Sequence, residues 1–578
     1  MNSMRRYLIL IVTAFGFLSA HAQTDHRMSP AERSAMPDYL QRVRSNRSTG
    51  FTTPPPPYVR ASAEWEEIDA LVVVWTTYTS IVRQIIAAAR TETKVIVVCS
   101  DSNVVRTNLT ANSIPLTNVE FLVTGFNSIW CRDFGPWNVY HNDIDSLYLI
   151  DWIYNRPRAK DDTVPNGIAR KENLPLYATT TSPYDLIHTG GNFMCDGLGT
   201  GFSSRLVVDE NPTKTEPEID TIMNQFMGVN RYIKMNTLPY DQIHHIDMHL
   251  KLLDEETILA GEYPPGVADG PGIDSNLAYI LSNYNSPFGT PYKVKRIPMP
   301  PDANGLYPDQ GGDYRTYTNA VFVNKTVILP FYGQQYDTTA TRLWQEAMPG
   351  YRIVGIDCNQ IIPSLGAIHC ITKEVSSNDP LWIVHQPLSD QLSSTVSYTV
   401  NAQIKHLSGI ASASVYYRTD TTMPYSSIAM QPITGQTDQW TADIPGQSAG
   451  ATVYYYIHAE ANNGKTLNRP ITAPAGYWRF NVDLNTGIHQ NNIGHLTASL
   501  FPNPSSGWTC LQLKGEDASE VEVRLTDLMG RSVHGIYKGS VSNGSKTVWF
   551  DTRELTSGIY LVAYTEKGYT STLKLVVR

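Results

Sequence analysis

No two of the six cysteines stand at CxxC spacing, and Cys99, Cys131, Cys195, Cys358, Cys370 and Cys510 are scattered over 578 residues. That excludes a thiolate metal knuckle and a CxxC redox motif, and six scattered thiols are too few for a disulfide framework. Charge is sparse as well: 17% of residues are Asp, Glu, Lys or Arg, the net charge is −9, and no basic block occurs. No nucleic-acid partner is therefore expected, since phosphates need clustered Lys and Arg. Long apolar runs are missing except at the start, where Arg5 and Arg6 precede a stretch from Tyr7 to Ala20 ending in Ala20-His21-Ala22. This run is too short for the roughly 18 residues of a spanning helix and reads as a signal peptide over residues 1–22, cleaved before Gln23. The mature chain is then expected to have no transmembrane segment. What the sequence does have is a 42% hydrophobic content spread along the chain. It can bury real cores, in about three to five domains, or fewer if one is an α/β barrel or propeller. Its 33 tyrosines against 15 phenylalanines suggest exposed β-surface.

Residues 23–50 are polar, with Arg42, Arg44 and Arg47 close together, and Pro54 to Pro57 follow as a stiff segment. Residues 23–50 read as a removable propeptide and linker. From 51 to 375 strand-like runs (Leu71 to Trp75, Val95 to Cys99, Val119 to Val123) alternate with helical ones such as Ile81 to Arg90, the pattern of an α/β domain. Further strands are expected at Leu147 to Trp152, Leu206 to Val208, Val321 to Pro330 and Ile368 to Thr372. No exact repeat is visible. Over 376–484 short alternating runs separated by Pro-Gly and Asn-Gly turns suit an immunoglobulin-like β-sandwich without a Cys-Trp-Cys pin. A polar linker, 485–495, leads to a small C-terminal β-domain, 496–578.

Four boxes in the α/β domain pack polar residues into apolar surroundings: Trp130 to Trp137, which contains Arg132 and Asp133; Thr189 to Gly197; His244 to His249; and Gly366 to Thr372. Strand alternation in the third would put His245, Asp247 and His249 on one face. Such a face serves general acid/base chemistry, a zinc site or a structural histidine cluster. It lacks HExxH spacing. Cys370, preceded by His369, reads alone as a buried structural thiol. Beside the Asp and His-x-Asp boxes it suggests nucleophilic catalysis, and its place after them excludes a papain-like order. A guanidinium suits the set, because two carboxylates can grip that planar cation by bidentate hydrogen bonds while a thiolate attacks its carbon.

Ala63-Glu64-Trp65-Glu66, Trp130-Cys131-Arg132-Asp133-Phe134-Gly135-Pro136, Gly190-Gly191-Asn192 with Asp196-Gly197, His245-Ile246-Asp247, Tyr317-Thr318-Asn319 and Gly366 to Thr372 occur in the order seen in guanidino-group-modifying enzymes. The chain resembles the agmatine deiminase and bacterial peptidylarginine deiminase branch, and its signal, sandwich and tail are similar to the secreted Porphyromonas-type enzymes. The tail, with Leu500-Phe501-Pro502-Asn503-Pro504, Asp527-Leu528-Met529-Gly530 and Leu555 to Tyr560, resembles the type IX sorting domain of Bacteroidetes. The resemblance implies a five-bladed, pentein-like α/β propeller that needs neither metal nor organic cofactor. It implies deimination of arginine-containing peptides and proteins, preferably at a C-terminal arginine, and a chain secreted by the type IX machinery or attached to the outer membrane. In it Asp133 and Asp247 clamp the guanidinium, Cys370 attacks, His245 moves protons and Asn319 orients the catalytic groups. Trp130 and Asp196 line the substrate channel, and Arg156 and Arg158 face a terminal carboxylate. Where agmatine deiminases carry a Gly-Gly-Gly-Asn run this chain has Ser364-Leu365-Gly366-Ala367, and His244 and Gln242 stand where other substrate-lining residues are expected. The rival readings are a small guanidino-amine deiminase and a non-enzymatic surface adhesin.

Overall fold

The structure, a computed structural model, describes residues 25–45, 50–392, 396–483 and most of 496–577. The expected signal peptide and the 485–495 linker lie outside the described residues. Between residues 59 and 376 one unit recurs: a strand, a helix, and a second strand parallel to the first. It is made by Ile68–Val74, Thr79–Ala89 and Lys94–Cys99. It recurs as Ser146–Tyr154, Val164–Glu172 and Leu176–Thr179, and as Thr200–Ser204, Glu216–Met227 and Arg231–Met235. The last two are Thr257–Glu262, Gly270–Asn283 and Lys293–Pro298, then Thr326–Phe331, Gln334–Ala347 and Arg352–Asp357. Parallel strands need a crossover, which each helix supplies.

Each leading strand also pairs with an antiparallel strand. In four sheets that partner immediately precedes it, as Trp137–His141 precedes Ser146–Tyr154. In the first sheet it comes from the far end of the domain: Lys373–Ser376 lies against Ile68–Val74 with Glu374 opposite Leu71, so the repeat closes on itself. Buried on both faces, Leu71 to Val74 and Val95 to Val98 are unbroken apolar runs. Fully burying each such side chain contributes roughly 1.5 to 3 kcal/mol. The helix Thr79–Ala89 turns Ile81, Val82, Ile85 and Ile86 onto the sheet. One core cluster continues from these residues through Trp130, Ile246, Met248 and Tyr317 to Cys370.

Several expected elements differ. Leu206–Asp209 is a helical turn, not a strand, entering the crossover of its unit. Val321–Val323 and Thr326–Phe331 are two strands joined by a turn at Asn324, whose φ is 49°. Ile368 to Thr372 forms a 3-10 turn, because Asn319 Oδ1 gathers the N–H groups of Ala367, His369 and Cys370 that a neighbouring strand would otherwise receive. Residues 30–45, expected as part of a polar linker, form a helix that buries Tyr39 against Ile153 and Ile187.

After residue 376 two sheets enclose Val400, Ile404, Val415, Ile444, Tyr455 and Phe480. Arg469 from these sheets donates to both oxygens of Glu255 at 2.9 and 3.0 Å, tying them to the α/β part. The last segment forms two further sheets over a core of Leu511, Leu513, Val523, Val562 and Leu575. No helix among the described residues is long and apolar enough to cross a membrane.

Candidate active site

The four boxes occupy one position in the repeat, the link just before an antiparallel strand. Cys131–Phe134 precedes Trp137–His141, Gly190–Asn192 precedes Met194–Cys195, Ile246–Met248 precedes Leu250–Leu252, and His369–Ile371 precedes Lys373–Ser376. Each is a single tight turn. The first packs on the second and fourth, and the second packs on the third. Asn319 fills the equivalent place in the remaining unit, ahead of Val321–Val323 and just after a bend at Tyr317 and Thr318. His245 and Asp247 likewise lie at a 3-10 turn, with Met248 N–H bonded to the His245 carbonyl. His245 and Asp247 reach the site. His249 does not act with them, and neither of its ring nitrogens has a hydrogen-bond partner among the described residues.

Cys370 is fully buried. Its Sγ accepts the Asn319 Nδ2–H at 3.2 Å and stands 3.6 Å from Asp247 Oδ2. That same oxygen accepts the His369 Nδ1–H at 2.7 Å, while His369 Nε2 lies 2.9 Å from Glu64 Oε1. Glu64 also pairs with Lys251, and Arg132 turns away from the site to Glu374 at 2.8 Å. A buried lattice of charges therefore holds Asp247 from behind. Asp247 Oδ1 is left buried with no hydrogen bond among the described residues.

Asp133 is also buried. Its Oδ1 accepts the Gly191 N–H at 3.2 Å and lies 3.6 Å from His245 Nδ1. Gly191 is required here, since a Cβ would fall 2.4 Å from His245 Nδ1. Asp133 Oδ2 meets the Nε2 of His26, from the N-terminal segment. The His26 ring stacks on Trp130 with centroids 4.1 Å apart and planes 4° apart. Arg156 Nε donates to the His26 carbonyl at 3.3 Å, and Arg158 Nε donates to Glu32 at 2.8 Å. Asp196 is not brought to this group: its Oδ1 caps its own turn through the Leu198 and Thr200 N–H groups. His26, Asp133 and His245 bring ligand atoms within 4.8 Å of one another and are the described residues that could hold a metal ion.

Burial pushes the Cys370 thiol well up, and the Asp247 and Asp133 charges push it further, so the resting thiol keeps its proton. Burial opposes the charge on Asp133, but its interactions with the neighbouring His26, His245 and Arg156 side chains outweigh it and hold the carboxyl well below the usual range. Asp247 likewise overcomes burial through the His369 hydrogen bond. Burial lowers His245 to about 4, partly offset by Asp133, leaving a neutral imidazole at pH 7. Sequence reasoning placed no role on Glu64, His369 or His26. Glu64 and His369 stood inside quoted boxes, but nothing in the sequence pairs them, and nothing in it distinguishes His26.

A thiol, two buried carboxylates and a neutral imidazole, gathered by repeated α/β units, define a hydrolase for a planar cation. Residues 60–375 match the family described as Porphyromonas-type peptidyl-arginine deiminase, and residues 499–578 match a secretion system C-terminal sorting domain. The chain belongs to the Porphyromonas-type peptidyl-arginine deiminase family, hydrolases acting on guanidino C–N bonds. Its tail is a type IX sorting domain, the mark of a secreted or cell-surface protein of Bacteroidetes-type bacteria. It is 26% identical over 288 residues to a chain assigned as an agmatine deiminase from Mycoplasma mycoides subsp. mycoides, covering 44% of this chain and 77% of that one. Another from Shewanella baltica is 26% identical over 298 residues, covering 46% and 78%. The solved agmatine deiminase of Enterococcus faecalis superposes with a TM-score of 0.50 at 20% identity, over 58% of this chain and all of that one, a likeness of fold.

Proposed function

We propose that the protein hydrolyses peptidyl-arginine, preferably at a peptide's C-terminus, to citrulline and ammonia through a covalent Cys370 intermediate. The observation that carries the reading is Asp247: one oxygen faces Cys370 Sγ, the other is buried and free for a donor. Asp133 supplies the second carboxylate, beside the aromatic face of Trp130. A guanidinium between them offsets the two charges that keep the thiol protonated, so substrate binding itself favours the thiolate. His245 takes the thiol's proton as the sulfur bonds to the guanidinium carbon, and gives it to a terminal nitrogen as that C–N bond breaks and ammonia leaves. Neutral again, His245 takes a proton from water, whose oxygen bonds to the carbon as the C–S bond breaks. Urea-type product and thiol result. Asn319 acts through Cys370, fixing the thiol and its loop. Arg156 and Arg158, engaged here by residues of the N-terminal segment, would take the terminal carboxylate. The five units are read as blades of a propeller around this site, 376–484 as an immunoglobulin-like domain, and 496–578 as the export address. Acid quenching during turnover of a C-terminal-Arg peptide, followed by mass analysis of the Cys370 peptide, tests the chemistry. An added amidino-peptide mass on Cys370 supports it, and accumulation on another cysteine overturns it.

A further inference from the structure

The place where a substrate guanidinium would lie holds His26. Both ring nitrogens of His26 face acceptors: Nδ1 lies 2.7 Å from the Leu365 carbonyl and Nε2 meets Asp133 Oδ2. An imidazole that donates on both sides is an imidazolium, a planar cation with N–H groups in its plane. Stacked on Trp130 and bonded to Asp133, it offers the site what an arginine side chain offers. The flanking chain is held as a peptide would be. The His26 N–H donates to the Ser364 carbonyl at 3.1 Å, its carbonyl receives Arg156, and Arg158 Nη2 donates to the Asp25 carbonyl at 3.0 Å.

A carboxylate is present as well. Glu32 accepts from the Ser29 N–H at 2.8 Å at the start of the 30–45 helix and presents its other oxygen to Arg158. That helix is anchored away from the site by Tyr39, and by Arg44 paired with Asp185 at 3.0 Å. The segment thus supplies a cation to the carboxylate site and an anion to Arg158. A cavity of about 680 Å³ lies between the segment's own Arg27 and Ser29 and Arg156, Glu210, Gln242 and His244, so the remainder of a peptide would have room where the segment now runs.

We infer that residues 25–45 are an intramolecular substrate mimic that keeps the enzyme latent, with His26 in the guanidinium site and Glu32 on Arg158, until the segment is cut away. The inference rests on the deiminase reading for its substrate, but its occupancy claim is testable without turnover. A segment seated nine-tenths of the time leaves about one-tenth of the molecules competent. Its release therefore raises rates at least about tenfold.

The test uses the full chain with a site-specific protease sequence in place of residues 46–49. Two rates are read before cutting, and again after cutting and dilution. One is alkylation of Cys370 by 2-chloroacetamidine, an electrophile carrying an amidinium, located by peptide mass. The other is ammonia release from a C-terminal-Arg peptide. Cutting should raise both at least about tenfold, and uncut His26→Ala and Glu32→Gln chains should move the same way. Adding back a synthetic 25–45 peptide should inhibit competitively, and the same peptide with His26→Ala should not. Equal labelling of Cys370 in cut and uncut protein, with no inhibition by the added peptide, overturns the inference even if His26→Ala fails to fold. Labelling that rises on cutting while neither the arginine peptide nor agmatine releases ammonia upholds the plug and removes the substrate reading instead.

Discussion

Asp247→Asn separates the clamp from mere scaffolding, because the structure predicts opposite signs for two readouts. The carboxylate accepts from His369 at 2.7 Å, faces Cys370 at 3.6 Å, and keeps Oδ1 for the substrate. An amide of the same shape removes one of two charges on the guanidinium. Breaking a buried charge pair of this kind costs roughly 2 to 5 kcal/mol. At about 1.4 kcal/mol per factor of ten, kcat/KM falls by about 30- to 5,000-fold. The thiol moves the other way. After burial, Asp247 is the largest cause that raises the Cys370 pKa, so its neutralisation makes the thiol more acidic. Iodoacetamide alkylation of Cys370 at pH 8, measured on the same form of the chain, should therefore be faster in the variant than in the wild type. Thermal unfolding of both proteins checks that the fold persists. A loss of turnover below about tenfold, or a thiol no more reactive than before in a folded variant, would refute the two-carboxylate account.

Cys370→Ala should abolish citrulline formation while leaving the unfolding transition in place, which circular dichroism and a colorimetric citrulline assay check together. Arg156→Ala should flatten the preference for a C-terminal arginine over its amide, by roughly 10- to 150-fold for a charge-assisted pair of about 1.5 to 3 kcal/mol, without altering Cys370 alkylation. Glu374 resists the burial that would raise it, through Arg132 and Lys373, and is held at about 2. Its folded value lies below the unfolded one, so its contribution is present above about pH 4.5 and is lost as pH falls towards 2. Glu374→Gln should accordingly flatten the loss of stability in that window, read by denaturant titrations at pH 5 and pH 3. Removing residues 496–578 should leave a catalytically active protein that no longer reaches the cell surface, a result cell fractionation would show and surface-located enzyme would contradict.

Much of the scaffold was legible in the sequence because burial on both faces leaves a plain mark. The runs Leu71 to Trp75 and Val95 to Cys99, and the helical stretch from Ile81, stand in the structure as strands and a helix. The boxes were legible too, since polar residues amid apolar ones are costly without partners. Their local shape was not. Strand alternation failed at His245 to His249 and at Ile368 to Thr372 because these links turn between units, and the turn at Cys370 depends on Asn319, 51 residues away. The five-fold recurrence was hidden since the units share a pattern of hydrogen bonds rather than residues. His369 could not be matched to Glu64, 305 positions earlier, by any spacing rule. The helix after Ser29 had a local signal, the Ser29-x-x-Glu32 capping pair, obscured by Pro37 and by the polarity of its surroundings. His26 carried none, because its role comes wholly from tertiary contact.

Hydrolysis of a peptide-borne guanidinium recognised together with its carboxylate is read from kcat/KM for three compounds. The three are a C-terminal-Arg peptide, the same peptide as its C-terminal amide, and agmatine, with ammonia and citrulline or carbamoyl product measured in parallel on cut protein. Ammonia and citrulline should appear in equal amounts, with the free-carboxylate peptide fastest. Equal rates for acid and amide, or agmatine faster than both, would contradict it.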